Sequence, residues 1–251
     1  MLKVSKFNQV TRIDSARTIS GRGSYWTTAY LVDGLLVDSG CAHAAHELVA
    51  ALADETLTRI VNTHSHEDHI GANSSLQAQR DGLEIFAHPF ALPILRDPRG
   101  TQPLQFYRRV MWGRPEPSEA ILLEDGQQIE TEHHTFQVIY TPGHSDDHLC
   151  LYETQQGWLF TGDLYVGGKD RALRIDYDIW QIIDSLKRVA DLPLSLLFPG
   201  SARVRENPNQ ALASKIAYLE DMGEKVLDLH TQGKHPKEIA RTLFGPAMFI
   251  E

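Results

Sequence analysis

Cysteine is scarce here: Cys41 and Cys150 are the only two in 251 residues, too few for a disulfide framework. No apolar run approaches the roughly 20 residues needed to cross a bilayer as a helix, so a membrane span is not expected. The opening Met1-Leu2-Lys3-Val4-Ser5-Lys6 lacks the apolar core of a secretion signal, so the reading is a cytoplasmic protein with reduced thiols. Positive charge is in deficit. With 24 Lys and Arg against 33 Asp and Glu, the net charge of −9 argues against broad attraction to nucleic acid or anionic membranes, though not against a local basic pocket or an RNA substrate. Repeats and low-complexity tracts are also absent. Cys41 follows Asp38-Ser39-Gly40 with no basic neighbour to activate it, so a small packed residue is favoured over a thiol nucleophile.

What is present is an alternation of strand-like and helix-like segments. Lys3 to Val10, Thr27 to Val32 and Leu35 to Asp38 read as strands, the last two joined by an Asp33-Gly34 hairpin turn. Ala42 to Leu52 reads as a helix, Leu57 to Val61 as a buried strand and Asn73 to Arg80 as a helix. Thr135 to Tyr140, Leu149 to Tyr152 and Trp158 to Thr161 continue the pattern as strands, and Asn209 to Thr231 and Pro236 to Leu243 as helices, the latter stopping at Gly245-Pro246. The order predicts two sheets covered by helices.

The chemistry concentrates at strand ends. His64, Ser65, His66, Glu67, Asp68 and His69 place three imidazoles and two carboxylates in six residues, the donor types that hold zinc and similar ions. A solvated histidine-rich turn is the simpler alternative. The two-residue spacing of His64 and His66 suits an extended loop rather than a helical metal motif, with Asp68 and His69 turned toward a second position. Glu67 is expected to face solvent or a supporting partner. Further on, Thr141-Pro142-Gly143-His144 and Gly162-Asp163 again set polar groups just past apolar strands.

This ordered set resembles the metallo-β-lactamase superfamily over most of residues 20 to 205, in residue type and approximate spacing. The resemblance implies an α/β (α+β) fold, an αββα sandwich, with metal at a groove on the sheet edge. It implies that His64, His66 and His144 hold a first ion and that Asp68, His69 and Asp163 serve a second, Asp163 bridging. The cofactor it implies is zinc, one or two ions, with iron and manganese as alternatives. A water or hydroxide between the ions would act as nucleophile, with Asp68 receiving or orienting its proton and Asp38 fixing a ligand histidine. The resemblance breaks at Pro199-Gly200-Ser201, where many members carry a histidine for the second ion. A hydroxyl is a poor zinc ligand, so three outcomes stay open: a dinuclear site completed by water or substrate, a mononuclear enzyme, or loss of catalysis. Retained catalysis is favoured because the other ligands and Asp38 are present.

Other residues carry lesser expectations. His148 is a candidate to face substrate or support a ligand. Tyr165, Lys169, Arg171 and Arg174 follow Asp163 closely and are candidates to bind a substrate carboxylate or phosphate. His43 and His46 are placed at a surface or pocket edge, and His133, His134, His230 and His235 in solvent-like settings. The main domain is taken as residues 1–206, with 88–118 as a lid-like insert in which Leu104 to Trp112 either covers the groove or packs on the sandwich with Arg108 and Arg109 solvated. Residues 207–251 are taken as a helical appendage, more apt to pack on the core or a neighbouring subunit than on DNA.

The leading function is hydrolysis of a small ester, thioester, lactone or related bond. Alternatives are a metal-dependent endoribonuclease or phosphodiesterase, a mononuclear iron enzyme of the persulfide dioxygenase kind, and a non-catalytic metal-binding protein. A small-molecule substrate without a membrane partner is expected, with a homodimer left open. β-Lactam hydrolysis is not the expected role of a cytoplasmic chain.

Overall fold

The computed structural model describes residues 1–167, 174 and 176–245. The expectations placed on Lys169, Arg171 and Pro246 lie outside the described residues. A seven-stranded sheet runs in chain order through β1 (Leu2–Phe7), β2 (Val10–Ile19), β3 (Arg22–Val32), β4 (Leu35–Val37), β5 (Arg59–Val61), β6 (Glu84–Ala87) and β7 (Ile121–Leu122). Its first four strands are antiparallel and the rest join in parallel. A five-stranded sheet comprises β8 (Gln128–Glu130), β9 (Thr135–Tyr140), β10 (Leu149–Glu153), β11 (Trp158–Gly162) and β12 (Leu196–Pro199), with only the β11 and β12 pair parallel.

Alternation along the strands builds three layers of core. Tyr30, Val32, Leu35 and Val37 face Phe136, Leu149, Leu151 and Phe160 between the sheets, while the intervening Leu31 and Leu36 face outward into a second cluster. Leu48 of α1 (Ala45–Ala51) and Leu76 of α2 (Asn73–Gln79) cover that outer face. The insert supplies three short helices, α3 (Leu92–Arg96), α4 (Pro98–Thr101) and α5 (Phe106–Met111). On the far face of the second sheet, Cys150, Tyr152 and Leu159 meet Ile183 and Leu186 of α6 (Ile179–Ala190) and Leu212 and Leu219 of α7 (Pro208–Thr231). Strands buried on both faces explain their continuous apolar runs. The chain closes with α8 (Pro236–Phe244), capped reciprocally by His235 and Glu238.

Several expectations are sharpened. The single strand expected over Lys3 to Val10 breaks after Phe7, where Asn8 takes a φ of 54° and turns the chain into β2. The helical tail packs on the core, Leu212 and Leu219 of α7 sharing one cluster with Leu186 of α6. Asp33 and Gly34 both take positive φ, as the two-residue hairpin turn requires. No helix among the described residues is long and apolar enough to cross a membrane.

The fold gathers its functional loops at the carboxyl ends of β4, β5, β9, β11 and β12. The two sheets are stitched there by Thr28 N–H donating to Gly200 O at 2.6 Å and by Tyr30 Oη–H donating to Pro199 O at 2.7 Å.

Candidate metal centre

The run after β5 folds as an extended loop, and His64 Nε2 lies 3.0 Å from His66 Nδ1. His144, delivered by the turn after β9, brings its Nε2 to 3.0 Å from the same atom. Two nitrogens each about 2.0–2.1 Å from a tetrahedral zinc would sit about 3.3 Å apart, so this triad has ligand spacing. All three rings are buried. Burial, reinforced by the neighbouring imidazoles, pushes His64 and His66 well below the ordinary histidine range and takes His144 down to about 4. Neutral imidazoles with unprotonated lone pairs result, the form that binds metal.

Asp163, at the end of β11, spans two clusters. Its Oδ2 lies 3.7 Å from His144 Nε2, and its Oδ1 lies 3.6 Å from His69 Nε2. Asp68 Oδ2 also stands 3.8 Å from His69 Nε2. His69 Nε2 is itself buried without a hydrogen-bond partner, a costly state that a bound cation relieves. Burial works against charging His69, yet Asp38, Asp163 and Asp68 together raise it well above its usual value. Burial likewise opposes an ionised Asp163, but His69, His144 and the Ser201 hydroxyl hold its carboxyl well below the usual range. The pocket therefore favours positive charge where His69 Nε2 points, and the residues fit a divalent ion.

A second layer sets the tautomers. Asp38 accepts from Thr63 N–H and Thr63 Oγ1–H, both at 2.8 Å, and from His69 Nδ1–H at 2.7 Å. Thr63 Oγ1, having donated to Asp38, accepts from His64 Nδ1 at 3.0 Å. His64 is thereby left with its Nε2 lone pair free, and His69 directs Nε2 toward Asp163 and Asp68, where an ion would replace the proton those carboxylates favour. Asp38 adopts a φ of 61° to make these bonds, a strained conformation for a non-glycine residue. Gly162 allows the sheets to approach, since a Cβ there would lie 2.5 Å from Thr63 Oγ1.

The remaining expected residues divide. His148 is fully buried: its Nδ1 donates to Thr141 Oγ1 at 2.8 Å and its Nε2 accepts from Asp163 N–H at 3.2 Å. It supports the Asp163 backbone. Tyr165 departs from expectation, because it is buried in the α6–α7 core with Arg205 against its ring. Ser201 lies beside the second cluster, its Oγ–H donating to Asp163 Oδ1 at 3.0 Å. Glu67 is excluded from solvent and forms a bidentate ion pair with buried Arg108, Nε to Oε1 at 2.7 Å, so Arg108 is not solvated. His134 is buried too, between Glu153 and Gln9. Cys41 and Cys150 are buried, and burial raises both thiols, Cys150 to about 12, as inert packed residues require.

Three contributors escaped the sequence reading. Asp147 Oδ2 accepts from Ser65 N–H at 2.8 Å and so holds the metal loop. Tyr177 lies with its ring 4.6 Å from that of His144, and the Glu67 to Arg108 pair was unforeseen as a pair. Only Asp147 had a signal, its place in the Asp146-Asp147-His148 run. The centre opens into a groove of about 490 Å3 walled by Tyr25, Trp26, Tyr107, Trp112, Arg174 and Tyr177.

Two sheets between helical layers, with paired donor clusters at the carboxyl ends of their strands, define a metal-binding αββα protein. Residues 27–201 match the family model of the metallo-beta-lactamase superfamily, and the chain belongs to that superfamily. It is 30% identical over 186 residues to an atrochrysone carboxyl ACP thioesterase of Aspergillus fumigatus, covering 72% of this chain and 51% of that protein. It is 32% identical over 158 residues to a hydroxyacylglutathione hydrolase of a Synechococcus species, covering 59% of this chain and 52% of that one. The chain thus spans about half the length of these two relatives. The metallo-beta-lactamase family protein TTHA1429 of Thermus thermophilus shares the fold, with a TM-score of 0.72 at 22% identity over 89% of this chain and 83% of that one.

Proposed function

We propose that this protein is a metal-dependent hydrolase and that its scissile bond is a thioester. The observation that carries the reading is Asp163, with one carboxylate oxygen directed to each of two buried donor clusters that open on one groove. His64, His66 and His144 would hold one ion, and His69, Asp68 and Asp163 would serve another; nitrogen and carboxylate donors suit zinc, with iron and manganese also admitted. An ion held there supplies a water of lowered pKa and polarises the substrate carbonyl. Without an ion, burial pushes the Asp68 carboxyl up to about 7, against the pull of His69; with an ion beside it the group would be held as the carboxylate, the form that can orient or accept a water proton. Asp38 holds His69, and His148 holds the Asp163 backbone, so neither donor drifts during turnover. A thiolate is a good leaving group near neutral pH, and no strong side-chain acid is required opposite the donors. Relatives named as a thioesterase and a hydroxyacylglutathione hydrolase support the choice of bond.

The test is a panel of thioester, ester, lactone and phosphodiester substrates, an RNA and a persulfide with oxygen monitored, run beside elemental analysis of the protein. Thioester turnover that chelation and His66→Ala abolish is expected. A protein carrying metal that cleaves phosphodiesters or consumes oxygen, while leaving every thioester intact, would overturn the reading.

A further inference from the structure

Neighbouring residues in a strand point to opposite faces, yet Tyr25 and Trp26 both line the metal groove. The cause is a bulge in the β2–β3 pair. Ser15 pairs with Thr27 and Arg17 with Ser24, so Tyr25 and Trp26 together stand opposite Ala16. Tyr25 takes a φ of 55° there, an outlying conformation for a bulky side chain. Bulges that re-aim a side chain recur beside functional sites, and strain of this kind persists only where its surroundings hold it.

The surroundings hold it from α5. Trp112 packs edge-on against Tyr25, centroids 5.8 Å apart, and its Nε1–H donates to Tyr25 O at 3.3 Å. His43 N–H donates to Trp112 O at 3.2 Å, and the Arg17 guanidinium donates to Val110 O. Tyr107 joins the same wall and Tyr177 faces it beside His144. Tyr25 and Tyr107 remain 62% and 50% exposed, so ring surface has been fixed in place and left uncovered. The arginines of the groove are already engaged, Arg108 with Glu67 and Arg174 with Asp176. Among the described residues, the groove therefore offers ring faces and edges more readily than free cations.

We propose that the bulged hairpin and α5 form a recognition wall for a flat, ring-bearing acyl group, so that the preferred substrates are aryl rather than straight-chain thioesters. The proposal rests on the thioester reading for its chemistry, but ring recognition is measurable without turnover. Two uncharged thioethers that cannot be hydrolysed, S-(2-naphthylmethyl)- and S-octyl-N-acetylcysteamine, are titrated by calorimetry into the metal-loaded protein, and the matching naphthoyl and octanoyl thioesters are assayed. The naphthyl thioether is expected to bind roughly 10-fold tighter than the octyl one, the scale of one or two favourable ring contacts. Tyr25→Gly, which suits the positive φ, and Trp112→Ala should each weaken naphthyl binding several-fold more than octyl binding and so erase most of that preference. Equal affinity for the two thioethers, or variants that weaken both alike, would overturn the wall. Selective naphthyl binding without cleavage of either thioester would leave the wall standing and remove the thioesterase reading.

Discussion

Replacing Arg108 with methionine would leave the Glu67 carboxylate buried and uncompensated. Glu67 is fully buried and Arg108 is 6% exposed, and the pair is bidentate, so little solvent screening discounts its loss. Removing one partner of such a pair costs about 3–5 kcal/mol, whereas replacing both with apolar groups of similar size is close to neutral. Local opening limits the penalty. The helix bearing Arg108 spans only Phe106–Met111, and its detachment would let water reach Glu67 before the whole chain unfolds. The low end, about 3 kcal/mol, is therefore expected, equivalent to a fall in Tm of roughly 6–12 °C for a chain of this size. Urea and thermal unfolding at fixed zinc, applied to Arg108→Met, Glu67→Met and the double variant, measure the coupling directly. A double variant destabilised by the sum of the two singles would refute the argument that these side chains stabilise each other.

Ser201→His should raise bound metal toward two ions per chain by adding an imidazole beside Asp163 and His69; unchanged stoichiometry by elemental analysis would mean that position 201 does not reach the second cluster. Asp38→Asn keeps the side-chain size but puts an amide in place of the carboxylate that serves Thr63 and His69, and a 10–100-fold loss of metal affinity is expected in a competition titration with a chromophoric chelator. In chelated protein, His144 has a folded pKa of about 4, below the unfolded 6.5, so the unfolded chain takes up its proton first as pH falls. Its share of stability, about 3 kcal/mol, should therefore be lost between pH 6.5 and 4, with His64, His66 and His148 adding to the fall and Asp68, raised to about 7, opposing it over the same window; an NMR titration of the chelated protein that finds the His144 ring protonated at pH 6 would refute the neutral-imidazole assignment.

Much of the site was legible because its donors fall in short runs at the ends of apolar strands. His64, His66, Asp68 and His69 share one loop, and His144 and Asp163 each end a strand whose apolar residues announce it. What escaped depends on contacts between distant segments. Glu67 meets Arg108 across 41 positions, and neither local charge pattern marks the other. The strand Val10–Ile19 was missed because its buried side carries Ser15 and Ala16 beside Val10 and Ile13, a weak hydrophobic alternation. The burial of His148 is not legible in the sequence because nothing within Asp146-Asp147-His148 tells that Thr141 and Asp163 enclose the ring. Which face of α7 meets the core is not marked locally, because Leu212 and Leu219 lie among polar residues on a long helix and their partners on α6 are distant in sequence.

The bonds from Thr28 to Gly200 and from Tyr30 to Pro199 join the sheets directly beneath donors that come from both of them. His64, His66 and His69 follow the first sheet, whereas His144 and Asp163 follow the second. Neither sheet alone carries a complete set, so the ion's affinity is available only to the closed sandwich. Metal uptake and sheet assembly would then be linked, a bound ion adding to the stability of the closed sandwich.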